Sequence, residues 1–234
     1  MALTKVTSGG LDGTFPDDSI VNADINSSAA IAMSKLATDP SNASNLASGT
    51  VPTARLGSGS ASASTFLTGA QTYASAGITE ADQWRVTADF SGSTNPISAN
   101  WERVDSKGSG HLGTGMSESS GYWTFPSTGF WLIDAYTSMN LTSGSTTWAS
   151  LSIKVTEDAA SGATYTGVST TTTSFADGSA GNYEAVHNIV ILDITDTAND
   201  KFYMGFGTGN ASVACKGSTD DSMTGMNFIK LADT

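Results

Sequence analysis

Every tryptophan of the chain lies after position 80: Trp84, Trp101, Trp123, Trp131 and Trp148. The first 75 residues hold only three aromatics, Phe15, Phe66 and Tyr73, in a background of Ala, Ser, Gly and Thr. A packed core needs bulky side chains, so this uneven supply divides the chain in two. Residues 81–234 have the material for a compact domain. Residues 1–80, as a lone chain, cannot bury enough apolar surface to offset the entropy of ordering them.

In the second region, short runs rich in aromatic and β-branched residues are separated by turn signals. They are DQWRVTADF, NWERV, GYWTF, GFWLIDAYTSM, TWASLSIKV, HNIVILDI, DKFYMGFG, ASVACKG and MNFIKLA. With charged residues at only 14%, the composition is not that of a helical bundle. Short strands at such intervals predict a mainly β fold, an antiparallel sandwich or jelly roll. Within GFWLIDAYTSM, alternation sets Trp131, Ile133 and Ala135 against Leu132, Asp134 and Tyr136. HNIVILDI differs, because its continuous apolar run predicts a strand covered on both faces.

The first region has a period of its own. Phe15, Ile20 and Ile25 stand five apart; after a slip of one come Ile31 and Leu36, then Leu46, Val51, Leu56, Ala61 and Phe66, with Ser41 breaking the series. In a strand, residues five apart face opposite sides; in a helix they lie about 140° apart. Neither element aligns them. Three chains winding about one axis would let each apolar residue meet its own copies. Without such partners the segment reads as a Ser/Gly/Ala linker. One piece, residues 27–37, has the Ala content and Ser cap of a short helix ending at Thr38-Asp39-Pro40.

Charge and reactive residues exclude several function classes. A net charge of −12 offers no basic stripe for nucleic acid and no attraction to an anionic membrane. No run approaches the ~20 apolar residues of a membrane span, so no membrane insertion is expected. The opening MALTKVTSGG lacks the apolar stretch of a signal peptide, which predicts assembly in a cytoplasm. Cys215 is the one cysteine, so no disulfide closes within the chain. It would become a nucleophile only with His187 beside it. His111 lies in the Gly-rich GSGHLGTG, and neither histidine has zinc-ligand spacing. Asp220-Asp221 and Glu157-Asp158 read as solvated turns, not a calcium site. No catalytic, metal or cofactor site is therefore expected.

Two resemblances give these observations a context. IVNADINSSAAIAMSKLA and LASGTVPTARLGSGSASASTFLTGAQTY, with the opening MALTKVT, closely resemble segments of bacteriophage tail-fibre and appendage proteins, over roughly residues 1–75. GYWTFPSTGFWLIDAYTSMN, NDKFYMGFG and MTGMNFIKLA are similar, in order, to the central motif, the Gly-Asp-Lys-Val strand entry and the closing strand of the C1q/TNF-like jelly roll. Asn199 stands where that family has Gly, and Met223 and Met226 where it has aromatics. The resemblances imply a virion attachment and shaft region over 1–80 and a C-terminal jelly-roll knob over 81–234, the distal part of a homotrimer in the family's manner.

The function so implied is a structural virion protein, a trimeric tail fibre whose knob attaches to a host surface glycan or protein. The alternatives are a capsid decoration protein or head fibre and, third, a glycan-degrading tail enzyme. Expected partners are its own copies and other virion proteins held through the N-terminal region. Expected threefold contacts are Ile20, Ile25, Ile31, Leu36, Leu46, Val51, Leu56 and Phe66, and, from the family, Tyr203, Phe206 and Phe228, which would otherwise fill the monomer's core. Loops 105–120 and 157–182 are expected to carry receptor contacts.

Overall fold

The computed structural model describes residues 55–62, 65–75, 77–106, 108–159, 163–175 and 181–234. The expected contacts at Ile20, Ile25, Ile31, Leu36, Leu46 and Val51, and the expected helix over 27–37, lie outside the described residues. Gly59–Thr234 form one compact unit. It opens with a small hairpin of β1 (Thr65–Leu67) and β2 (Tyr73–Ser75). Then follow β3 (Ala81–Val86), β4 (Phe90–Ser91), β5 (Trp101–Arg103), β6 (Ser117–Ser119), β7 (Tyr122–Thr124) and β8 (Gly129–Leu141). The rest are β9 (Thr146–Thr156), β10 (Thr166–Phe175), β11 (Tyr183–Ile194), β12 (Lys201–Thr208), β13 (Val213–Cys215) and β14 (Thr224–Ala232).

Strands β3 to β14 form two antiparallel sheets. One runs β10-β9-β12-β7-β6. In the other, β8 is flanked by β11 on one side and β14 on the other, with β3 and β5 beyond β14. Past the end of β14, β13 takes over beside β8, with Val213 opposite Leu141 and Cys215 opposite Met139. The pairings are nested: β3 with β14, β7 with β12, β8 with β11, β9 with β10. A long hairpin rolled across two sheets gives this nesting, which is the jelly roll expected from the sequence. The tight β6–β7 connection uses Ser120 and Gly121, both at positive φ (54° and 86°), as a two-residue turn matching the strand twist requires.

Alternation along the long strands fills the space between the sheets. Trp131, Ile133, Ala135 and Met139 of β8 face Ala149, Leu151 and Ile153 of β9 and Phe202, Met204 and Phe206 of β12 across one apolar core. At its centre Trp123 is wholly buried. It meets Trp84 and Trp101 edge-on, each with ring centroids 5.1 Å apart, and stacks on Phe202 at 6.1 Å. Four of the five tryptophans that marked this region in the sequence, Trp84, Trp101, Trp123 and Trp131, thus pack in or against its core, while Trp148 is exposed.

Several expectations change here. Phe206 and Phe228 are fully buried in their own chain, so they fill the core and do not reach a threefold axis. Their strand parity points inward. Tyr203 has the opposite parity and lies on the outer face of β12, beneath Tyr122 and Tyr165 of the same chain. The expectation for Leu56 and Phe66 is not changed: both are exposed in the single chain. The 157–182 segment contains strand β10, and the 105–120 segment contains β6; neither is loop throughout.

Candidate functional site

Among the described residues, no layer covers the outer face of the β11-β8-β14-β3 sheet. Its register sets apolar residues in one row across the sheet. Ile191 is opposite Leu132, Leu132 opposite Ile229, and Ile229 opposite Ala81. Ala81 in turn forms a bridge with Leu112 of the segment between β5 and β6. Residues directly opposite on one face are in side-chain contact range, so the row is a continuous apolar band. Its ends are open: Ile191 is 56% exposed and Leu112 49% exposed. Ile189, one step along β11, is 59% exposed. A depression of about 590 Å³ lies on this face, lined in part by His111, Leu112, Leu132 and Ile229.

HNIVILDI therefore differs from its expectation within one chain. Val186, Asn188 and Ile194 are buried against the core, while His187, Ile189 and Ile191 point outward and stay exposed. The second cover that its apolar run predicts is not supplied by the described residues.

Next to the apolar row is a polar one. Asp134 is opposite Ile189 on one side and Asn227 on the other. Its carboxylate accepts a hydrogen bond from Asn227 Nδ2 at 3.1 Å and pairs with His187 Nε2. Beyond it Tyr136 lies half-covered beside His187. Burial holds the Tyr136 phenol above its ordinary pKa, against a hydrogen bond involving Ser222. An apolar band with a few oriented polar groups has the composition of a protein contact surface.

Two buried or half-buried carboxylates fix the edge of this face. Asp82 accepts from Trp84 Nε1 at 2.9 Å, Arg103 Nε at 3.0 Å and Met116 N at 2.8 Å. Glu80 accepts from Thr114 N and Gly115 N. Both hold the segment that carries His111 and Leu112 against β3. Arg85, itself buried, is paired with Glu102 and Asp105. No signal in the sequence marked Asp82 or Glu80. The backbone donors Met116 and Gly115 that they hold are 34 and 35 residues away from Asp82 and Glu80, and only the fold brings them close.

The residues with reactive chemistry do not converge. Cys215 is buried between Thr137 and Thr224, whereas His187 lies on the outer face of the sheet. Burial pushes the Cys215 thiol up to about 11, so the thiolate is disfavoured. Native protein at pH 8 is expected to resist iodoacetamide at Cys215, with alkylation appearing only as denaturant unfolds the sandwich. Rapid labelling without denaturant would contradict this placement. Among the described residues, no group of three or more His, Cys, Asp or Glu is placed to hold a metal ion. No helix among them is long and apolar enough to cross a membrane.

The residues that shape this face, Ile189, Ile191, Leu132 and Ile229, were not singled out in the sequence. The signal available was parity within HNIVILDI: His187, Ile189, Ile191 and Asp193 share one side.

No family model matches the chain, and no curated protein matches it in sequence. Among solved structures, it is similar to murine APRIL, with TM-score 0.47 and 14% identity over 65% of this chain and 98% of that one. It is also similar to Eiger TNF from S. frugiperda, with TM-score 0.46 and 12% identity over 68% of this chain and 96% of that one.

Proposed function

We propose that the chain is a structural protein of a bacteriophage particle, a homotrimeric tail fibre whose jelly-roll sandwich is the distal knob. The observation that carries self-association is the open apolar band from Ile191 to Leu112, with Ile189 beside it. A second copy is the occupant proposed for it, because HNIVILDI has the apolar content of a strand covered twice but has one cover among the described residues. Leu56 and Phe66 remain exposed and available for contact with other copies.

The phrasing of residues 1–75, similar to phage appendage proteins, supports the placement on a virion and attachment through the N-terminal region. Three knobs on one shaft would bind a host surface by avidity. Weak single contacts gain from a high effective concentration once the first has formed. The mechanism needs no cofactor and no reaction at the surface.

Gold-labelled antibody raised against residues 81–234 tests the virion assignment on purified particles. Label at the distal ends of tail fibres is the expected result. Label on the capsid would replace this reading with that of a head fibre or decoration protein, and unlabelled particles would overturn the virion assignment altogether.

A further inference from the structure

The outer face of the second sheet, β10-β9-β12-β7-β6, is built differently from the apolar band. Its outward positions on β9 are Trp148, Ser150, Ser152 and Lys154, since Ala149, Leu151 and Ile153 are buried in the core. On β12 the outward positions paired with them are Gly207 opposite Ser150, Gly205 opposite Ser152, and Tyr203 opposite Lys154. The face is therefore a track floored by glycine and serine with an aromatic group at each end. Trp148 and Lys154 are six residues apart on one strand, about 20 Å at ~3.3 Å per residue.

At one end the indole of Trp148 lies flat on β12. A Cβ on Gly207 would stand 3.0 Å from Trp148 Cζ3, and one on Gly209 would stand 2.9 Å from its Nε1. Glycine at both positions is what lets the ring lie down, leaving it 42% exposed. At the other end Tyr122, Tyr165 and Tyr203 form a cluster with centroids 5.0 to 5.8 Å apart, and Lys154 sits 5.7 Å over the Tyr203 ring. Midway, the exposed Asn95 lies over Gly205, whose Cβ would fall 1.9 Å from Asn95 Oδ1. Its amide is held by a bond to Phe206 O at 3.2 Å.

We infer that this track is a saccharide-binding site for a linear, largely neutral oligosaccharide. A sugar ring presents C–H bonds on its faces and hydroxyls on its rim. The C–H faces fit the negative π faces of Trp148, Tyr122 and Tyr165, and the hydroxyls fit Ser150 and the exposed Asn95; Ser152 is buried beside Gly205. A protein partner fits less well, because the floor between the aromatic ends holds no aliphatic anchor. Lys154 is the one charged group at the outward positions of β9 and β12 named above, which favours a neutral chain. The site would serve the surface attachment proposed above, on which its purpose rests.

The test is binding of the full chain to an array of neutral bacterial polysaccharide fragments and β-linked hexose hexamers, followed by titration of the best-retained compound. Trp148→Ala and Tyr165→Ala are each expected to weaken that binding at least tenfold. Both side chains lie at the surface, so the fold should stand. Gly207→Ser, which keeps the indole but lifts it, is expected to give a similar loss. Binding unchanged in all three variants, or no compound retained by the wild-type chain, would overturn the site. A trimer that binds no saccharide sinks the track and leaves self-association standing; a monomer that binds through Trp148 does the reverse.

Discussion

Replacing Asp82 with Ala is expected to lower the unfolding free energy of the sandwich by about 3 kcal/mol, since the change strands a guanidinium and buried N–H donors. Asp82 is 2% exposed. Its oxygens serve Trp84 Nε1, Arg103 and the backbone of Met116 at once. Arg103 is one-third exposed, so water will recover part of its solvation, which keeps the figure below that of a fully enclosed pair. For a domain of this size the loss corresponds to a fall in Tm of roughly 6–12 °C. Asp82→Asn should recover little. Each partner named is a donor, and a carboxamide offers one acceptor oxygen and a donor that faces them. Thermal unfolding of both variants checks this, and a Tm within two or three degrees of wild type would show that the cluster is not needed. Because Met116 leads into β6 and Arg103 lies on β5, the carboxylate ties the edges of the two sheets together. Its loss should also loosen the segment that brings Leu112 to the apolar band.

The second large effect is expected at Ile189 and Ile191. Both are more than half exposed in the single chain, so Ile189→Asp with Ile191→Asp should change the stability of the isolated sandwich by no more than about 1 kcal/mol. Covered by another copy, each side chain contributes about 1.5–3 kcal/mol through burial. Losing two per contact, about 3–6 kcal/mol, weakens association by roughly two to four decades. Two carboxylates facing an apolar partner would weaken it further. The double variant is therefore expected to sediment as a folded monomer with an unchanged circular-dichroism spectrum. A variant that still assembles would place the contact elsewhere on the chain.

Much of the sandwich was legible because its strands carry their signals locally. Trp131, Ile133 and Ala135 alternate with Leu132, Asp134 and Tyr136, and the structure buries the first set and turns the second outward. Strand β10 was not legible. TGVSTTTTSF has hydroxyls on both faces, so no apolar period betrays it, and it lies at the edge of its sheet. Its join to β11 is polar: Thr171 Oγ1 donates to His187 O at 2.9 Å, and Thr173 Oγ1 donates to Glu184 Oε2 at 3.3 Å. Phe206 and Phe228 show a different limit. The sequence marks them as aromatic strand residues, and so fit for a core or a subunit contact, but which face is covered depends on strands far away in the chain. Parity alone already separated Tyr203 from Phe206, since residues three apart in a strand cannot share a face. The outer apolar band was hidden for the same reason. Ile191, Leu132, Ile229 and Leu112 come from four separate segments, and only the register aligns them.

Self-association through that band is the central claim, and the solution mass of the full chain tests it most directly. Multi-angle light scattering at micromolar concentration should give three times the 23.9 kDa chain mass. A mass of 23.9 kDa under the same conditions would contradict it.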